Sequence, residues 1–197
     1  MVYTARVWTL GDTWRDEPAL AAAWRAAQPF PHLVFDEVVP ATPILDVLDD
    51  EGVVRQEGDI FAFEASGDLT QLGAQFGAVF APALARITGK PVTRAELRAY
   101  AYRVGHYLLP HSDHQDGLAR LLAFAYYLPT PEPPRGGELE LFRCTVEGSE
   151  ITSTDPALLI APRPHRLAVF DVSDVSLHQV REVLGGLRLS LAGWFYP

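Results

Sequence analysis

The sequence predicts a mainly β fold with flanking helices, of the closed sandwich or jelly-roll kind. From about Leu97 short β-type runs alternate with Pro- and Gly-rich breaks, eight of them before the C-terminus. Before Leu97 the chain reads as helices with a few strands. The length, 197 residues, suits a single core that buries roughly 70% of the unfolded surface. No repeat, low-complexity tract or linker divides it. The expectation is one domain over 1–197, with 1–95 a mostly helical support region and 96–197 the β core.

The elements follow in order. Asp16 to Gln28 is alanine-rich and helical. Thr42 before Pro43 has the form of an N-cap with proline in the first turn, opening a helix to Asp50. Asp68-Leu-Thr-Gln71 has capping-box spacing. Leu69, Leu72, Phe76 and Phe80 continue at helical intervals, Pro82 kinks the helix or starts a new turn, and Gly89 ends it. Gly73 and Gly77 in this helix read as a face for close packing on a sheet rather than a dimer seam. The strands expected are Leu97–Val104, Leu109–His114, Arg120–Leu128, Glu138–Phe142, Leu158–Ala161, Leu167–Asp171, Leu177–Val183 and Leu187–Phe195. Pro129–Pro134 is a connection, and Gly136-Gly137 a turn.

Composition removes several function classes. Net charge is −9, which argues against a nucleic-acid footprint. The longest apolar run, Leu121 to Leu128, is too short for a membrane helix. No secretory signal opens the chain. Cys144 is the only cysteine, which excludes disulfides and thiolate zinc cages and fits a reducing compartment, so a soluble cytoplasmic protein is expected. Lys90, the only lysine, precedes proline, so there is no phosphate loop. G-x-S-x-G and G-x-G-x-x-G are both absent.

Alternation along the strands then separates full faces from hollow ones. In the last strand Leu187, Leu189, Leu191 and Phe195 share a bulky face with Gly193. The opposite face carries Arg188, Ser190, Ala192 and Trp194, which is poor core and a good pocket. In Arg120–Leu128, Leu122, Phe124, Tyr126 and Leu128 are bulky, while Ala123, Ala125 and Tyr127 leave room. Two such faces suggest a cavity for something anionic, unless Arg188 pairs with a buried Asp or Glu.

His111-Ser112-Asp113 places an imidazole and a carboxylate on one side of a strand, and His178 follows 65 residues after Asp113. Taken singly, His111 reads as a loop histidine and His178 as a hydrogen-bonded core histidine. Together, two histidines and one carboxylate without cysteine match a non-haem Fe(II) site with open positions. Arg188, ten residues on, offers a bidentate fork for the far end of a dicarboxylate. His114 points away from that face and reads as a loop residue. His106 and His165 read as surface residues, Glu138 and Glu140 as a half-exposed strand, and Cys144 as a small buried apolar residue.

Five stretches carry a family resemblance: Tyr102-Arg-Val-Gly-His-Tyr-Leu-Leu-Pro-His-Ser-Asp113, Tyr126-Tyr-Leu-Pro129, Gly136-Gly-Glu-Leu-Glu-Leu-Phe142, Val169 through Val180, and Arg188-Leu-Ser-Leu-Ala-Gly-Trp-Phe195. Pro29-Phe-Pro-His-Leu-Val-Phe-Asp36 also matches an entry segment. On these the chain resembles the 2-oxoglutarate- and Fe(II)-dependent dioxygenases of the prolyl-4-hydroxylase-like group. The resemblance implies a double-stranded β-helix (distorted, cupin-like jelly roll) with supporting N-terminal helices. It implies Fe(II), 2-oxoglutarate and O2 as cofactor and co-substrates. His111, Asp113 and His178 match the iron ligands, and Arg188 the partner of the distal 2-oxoglutarate carboxylate. Tyr102 and Tyr127 match tyrosines that bond the co-substrate, with Ser190 assisting. Arg120 and Trp194 match positions near the prime substrate, although Arg120 has the opposite parity from Tyr127 and needs a bulge or strand start.

The implied reaction is hydroxylation of an unactivated C–H in an amino acid or peptide, prolyl included, with release of succinate and CO2. Related enzymes that halogenate lack the carboxylate ligand, so Asp113 implies oxygen insertion. The partners expected are a small-molecule or peptide substrate, with neither nucleic acid nor membrane. The alternative is a cupin-like metal-binding protein, an isomerase or sensor, that does not use 2-oxoglutarate. Such a protein needs no Arg188, and cupins typically use more histidine ligands.

Overall fold

The computed structural model describes residues 8–41 and 52–197, so the helix expected from Thr42 to Asp50 lies outside the described residues. A short 3-10 turn, Asp12–Trp14, leads into α1, Glu17–Ala26. Asp16 caps α1 by accepting from Ala19 N at 3.0 Å, and proline stands in the first turn. α2 spans Thr70–Thr88, runs through Pro82 and ends at Gly89, whose φ of +74° is a left-handed cap.

The strands are β1 (His32–Phe35), β2 (Val54–Gly58), β3 (Phe61–Ala65), β4 (Arg94–Tyr102), β5 (Tyr107–His111), β6 (Leu122–Tyr127), β7 (Arg135–Gly136), β8 (Leu139–Glu147), β9 (Glu150–Ile160), β10 (Leu167–Asp171), β11 (His178–Val180), β12 (Val183–Gly185) and β13 (Arg188–Tyr196). Eleven of them form one antiparallel sheet in the order β1-β10-β6-β13-β4-β3-β5-β11-β8-β9, with β2 alongside β3. This curled sheet, flanked by helices, is the double-stranded β-helix the resemblance implies. The first half therefore supplies three strands as well as the helices.

Both helices belong to the core on the convex side of the β1–β4 half. Phe76, Phe80 and Leu84 of α2 are fully buried there with Phe124, Leu191 and Phe195. Each such side chain contributes roughly 1.5–3 kcal/mol of burial. Trp14 stacks on Phe35 with centroids 3.9 Å apart, and Arg86 donates to Glu17 at 2.9 Å, joining α2 to α1. The leucine face of β13 and the bulky face of β6 both enter this core. Their hollow faces look the other way, into a cavity.

Gly73 and Gly77 do let α2 lie on the sheet. A Cβ at Gly77 would stand 2.8 Å from Ala95 N, and one at Gly73 would stand 3.1 Å from Ala95 O. Gly77→Ala should therefore cost about 1–3 kcal/mol through overpacking, and Gly73→Ala less. Denaturant midpoints of the two variants check the order.

Several local expectations are corrected. Asp68 does not cap α2: Leu69 is the N-cap and no side chain bonds there. The preceding segment is tied to β4 by Ser66 N→Ala99 O and Leu69 N→Leu97 O, both 3.0 Å, and Asp68 instead takes Arg98 Nε at 2.6 Å. Leu177–Val183 is two strands, since Val183 leaves β11's neighbours and pairs with Gly136 in a separate ribbon. The β8–β9 hairpin extends well past the expected ends, because residues 143–156 are mostly exposed on both faces and show no apolar alternation. His106 is buried, not at the surface, because β12 covers its turn through Gly105 N→Val183 O and Val183 N→His106 O. His165 is half-buried, its Nδ1 2.9 Å from the Tyr126 hydroxyl. Glu140 is buried between Gln179 and Leu159 on the ladder and accepts from Gln179, and Cys144 is half-buried.

Candidate metal and co-substrate site

The hollow faces enclose a cavity of about 230 Å³. His111 reaches it from the end of β5 and His178 from the start of β11, and the two residues are paired across the ladder. Asp113 stands two residues beyond β5, in the following loop. One ligand atom from each of the three lies within 4.8 Å of the others. His111 Nε2 is 3.8 Å from Asp113 Oδ1, and His178 Nε2 is 3.5 Å from Asp113 Oδ2.

The tautomers suit metal ligation. His111 Nδ1 donates to Leu109 O at 2.9 Å, and His178 Nδ1 donates to Ser176 O at 3.0 Å. With each Nδ1–H committed to a carbonyl, each Nε2 presents a lone pair toward Asp113. Burial pushes the His178 imidazole down to about 4, against a smaller upward pull from Asp113. It is neutral at physiological pH and needs no deprotonation before binding a cation. The donor set fits a divalent metal with open positions.

In the same cavity Arg188 is buried, 3% exposed, yet among the described residues no carboxylate pairs with it. Its Nη1 donates to the fully buried Ser190 Oγ at 3.1 Å, while its Nε has no partner. The guanidinium lies 4.7 Å from the Tyr102 ring and 5.1 Å from the Tyr127 ring. The Tyr127 hydroxyl is buried with no acceptor for its proton. Burial pushes both phenols up and Arg188 pulls each partly back, so both stay neutral donors. A buried cation without a carboxylate partner and a buried phenol proton without an acceptor fit an incoming carboxylate, and among the described residues no Asp or Glu pairs with Arg188.

Register explains the grouping. Arg188 pairs with Tyr102, and Ser190 pairs with both Tyr100 and Tyr127, so β4, β13 and β6 bring these side chains side by side. Arg120 stands two residues before β6, outside the strand, so strand alternation does not fix its side. Its guanidinium stacks 3.6 Å over Trp194, and its Nη1 donates to Asp113 O at 3.3 Å. Seven of the nine residues singled out in the sequence line one cavity, while Tyr127 stands behind Arg188 and Arg120 behind Trp194. Sequence reasoning missed the aromatic wall: Phe61 and Phe63 of β3, Tyr100 and Phe170. The alternation of Phe61 and Phe63 between Gly58 and Gly67 was the available signal.

Comparison with known proteins agrees with this geometry. The family model for the 2OG-Fe(II) oxygenase superfamily matches residues 97–196. A prolyl 3-hydroxylase, OGFOD1, from Xenopus laevis is 30% identical over 187 residues, covering 85% of this chain and 35% of its own length. The chain thus spans about a third of the curated relatives it matches. Among solved structures, a Pseudomonas putida prolyl-4-hydroxylase superposes with a TM-score of 0.64 at 22% identity, over 90% of this chain and 98% of that one. A Trichoplax adhaerens prolyl hydroxylase, in complex with a peptide fragment of hypoxia inducible factor, gives 0.64 at 13% identity over 93% and 90%. At those identities the solved structures support the fold alone. Fold, cavity and family match converge, and the chain belongs to the 2OG-Fe(II) oxygenase superfamily, whose members use Fe(II), 2-oxoglutarate and O2.

Proposed function

We propose that this chain is a 2-oxoglutarate-dependent hydroxylase acting on a prolyl residue of a peptide. His111, Asp113 and His178 hold Fe(II), and Arg188 takes the distal carboxylate of 2-oxoglutarate. The single observation that carries this is a buried, unpaired Arg188 sharing one cavity with the triad. When bound, the iron supplies the oxidising chemistry: 2-oxoglutarate and O2 yield succinate and CO2, and one oxygen atom enters the substrate C–H bond. The chain's own residues orient and exclude water. Tyr102, Tyr127 and Ser190, all buried, hold the co-substrate beside Arg188. Phe61, Phe63, Phe170 and Ala192 keep the reacting region apolar. Arg120 and Trp194 form a flat, stacked edge suited to a prolyl ring.

Residues 1–197 act as one catalytic unit in this reading. Among the described residues no helix is long and apolar enough to cross a membrane. The lone half-buried thiol of Cys144 and the net charge of −9 support a cytoplasmic enzyme that does not bind nucleic acid. A cupin-like metal protein that ignores 2-oxoglutarate is not favoured, because it leaves the Arg188 cation without a function.

Aerobic incubation with Fe(II), 2-oxoglutarate and a prolyl-peptide pool should yield succinate together with peptides heavier by one oxygen atom. Succinate without a modified prolyl peptide would remove the prolyl substrate from the reading. In chloride buffer the product should still gain oxygen and no chlorine, because the Asp113 carboxylate takes the place a halide needs. A chlorinated product would show that Asp113 is not a ligand.

A further inference from the structure

We infer that Ser112, the residue between His111 and Asp113, is a positioning residue that latches the two metal-binding segments together. The inference rests on the triad reading above. His111 is fixed by the β5–β11 ladder, but Asp113 stands outside any strand, and no ladder hydrogen bond holds it. Metal sites need their ligands held to within roughly 0.5 Å, so something else must fix this loop.

Ser112 supplies the connection. Its Oγ donates to Ser173 O at 2.7 Å and accepts from His114 N at 3.1 Å, so the backbone is anchored on both sides of Asp113. Ser173 belongs to the loop that leads into His178. Its carbonyl also receives Ser176 Oγ at 2.8 Å and Ser176 N at 3.2 Å, and its own N–H donates to Ser176 Oγ at 2.9 Å. Ser176, 1% exposed, in turn presents the carbonyl that fixes His178 Nδ1 at 3.0 Å. A continuous chain of hydrogen bonds therefore runs from the Asp113 loop to the ring of His178 without touching the ligand atoms. Two further links join the same loops: Val172 N→Leu121 O at 3.2 Å, and the ion pair of His114 with Asp174. Of these links, only Ser112 sits between two of the proposed ligands.

Partners of this kind, which act on the ligands from behind, typically change metal affinity by about 10- to 100-fold when removed. Calorimetric titration of the metal-free chain with Co(II) provides the test. Ser112→Ala should bind Co(II) about 10- to 100-fold more weakly, with its metal-free Tm within a few degrees of the unmodified chain. Ser112→Thr, which keeps the hydroxyl, should restore most of the affinity, and Ser149→Ala in the exposed β8–β9 turn should change nothing. Co(II) binding by Ser112→Ala within twofold of the unmodified chain would overturn the latch, as would a Ser112→Thr variant that falls as far. Failure of the unmodified chain to bind Co(II) would instead overturn the triad itself, and the latch with it.

Discussion

Replacing Arg188 with methionine should abolish the rise in Tm that 2-oxoglutarate gives the Fe(II)-loaded protein, while leaving the ligand-free protein at least as stable. The two halves of this expectation have one cause. Arg188 is 3% exposed, held by Ser190 and two tyrosine faces and, among the described residues, by no carboxylate. A buried ion without a counter-ion costs several kcal/mol, only part of which cation–π contact and one hydrogen bond offset. Methionine of similar reach removes that cost and fills the space. The bound dicarboxylate loses its ion pair at the same time, a change of roughly 3–5 kcal/mol when one partner of a buried pair is removed. The Kd for 2-oxoglutarate should therefore weaken more than about 100-fold. Unchanged affinity would transfer the role to another cation, such as Arg120 or Arg103.

His111→Ala, Asp113→Ala and His178→Ala should each lower turnover by roughly 10³-fold or more, beyond the loss that outer hydrogen-bond partners carry. No two members of the triad can replace the third, since an open site needs all three to hold the metal. The fold should survive each change. His111 and Asp113 are only partly buried, and the β5–β11 ladder that carries the histidines is made by backbone groups. His178 is the most enclosed, with its ring 4.7 Å from Phe170, so its alanine variant should be the least stable of the three. Circular dichroism of each variant separates loss of metal from loss of structure. Full activity in any one would remove that residue from the triad.

Most of the site was legible because its chemistry is local or periodic. The small-residue faces of β6 and β13, and Arg188 followed by Ser190, depend on alternation along single strands, which survives folding. The H-x-D pair was legible from its short spacing, although the expected strand ends at His111 and Asp113 lies in the loop beyond it. The GxxxG face of α2 was legible for the same reason, since Gly73 and Gly77 share one helical face. Features set by distant partners were hidden. Asp68 had capping spacing, but β4 places Arg98 within reach and the ion pair displaces the cap. His106 sits in a Gly-containing turn and looked exposed until β12 closed over it. Glu140 alternated like any half-exposed strand residue, yet β9 on one side and Gln179 on the other bury it. The long β8–β9 ribbon carries no burial pattern, so nothing in its composition marked its length. The Ser112–Ser173 link crosses 61 residues and rests on a backbone carbonyl, which no residue pattern encodes.

The most direct measurement of the central claim needs no prime substrate. Fe(II) and 2-oxoglutarate, added together without oxygen, give a visible charge-transfer absorption only when the co-substrate chelates the iron. The unmodified chain should develop this band with both components and with neither alone. Asp113→Ala and Arg188→Met should fail to develop it at the same concentrations. An unmodified chain that binds Fe(II) but shows no band with 2-oxoglutarate, or an Arg188→Met variant with the full band at the same affinity, would contradict the account.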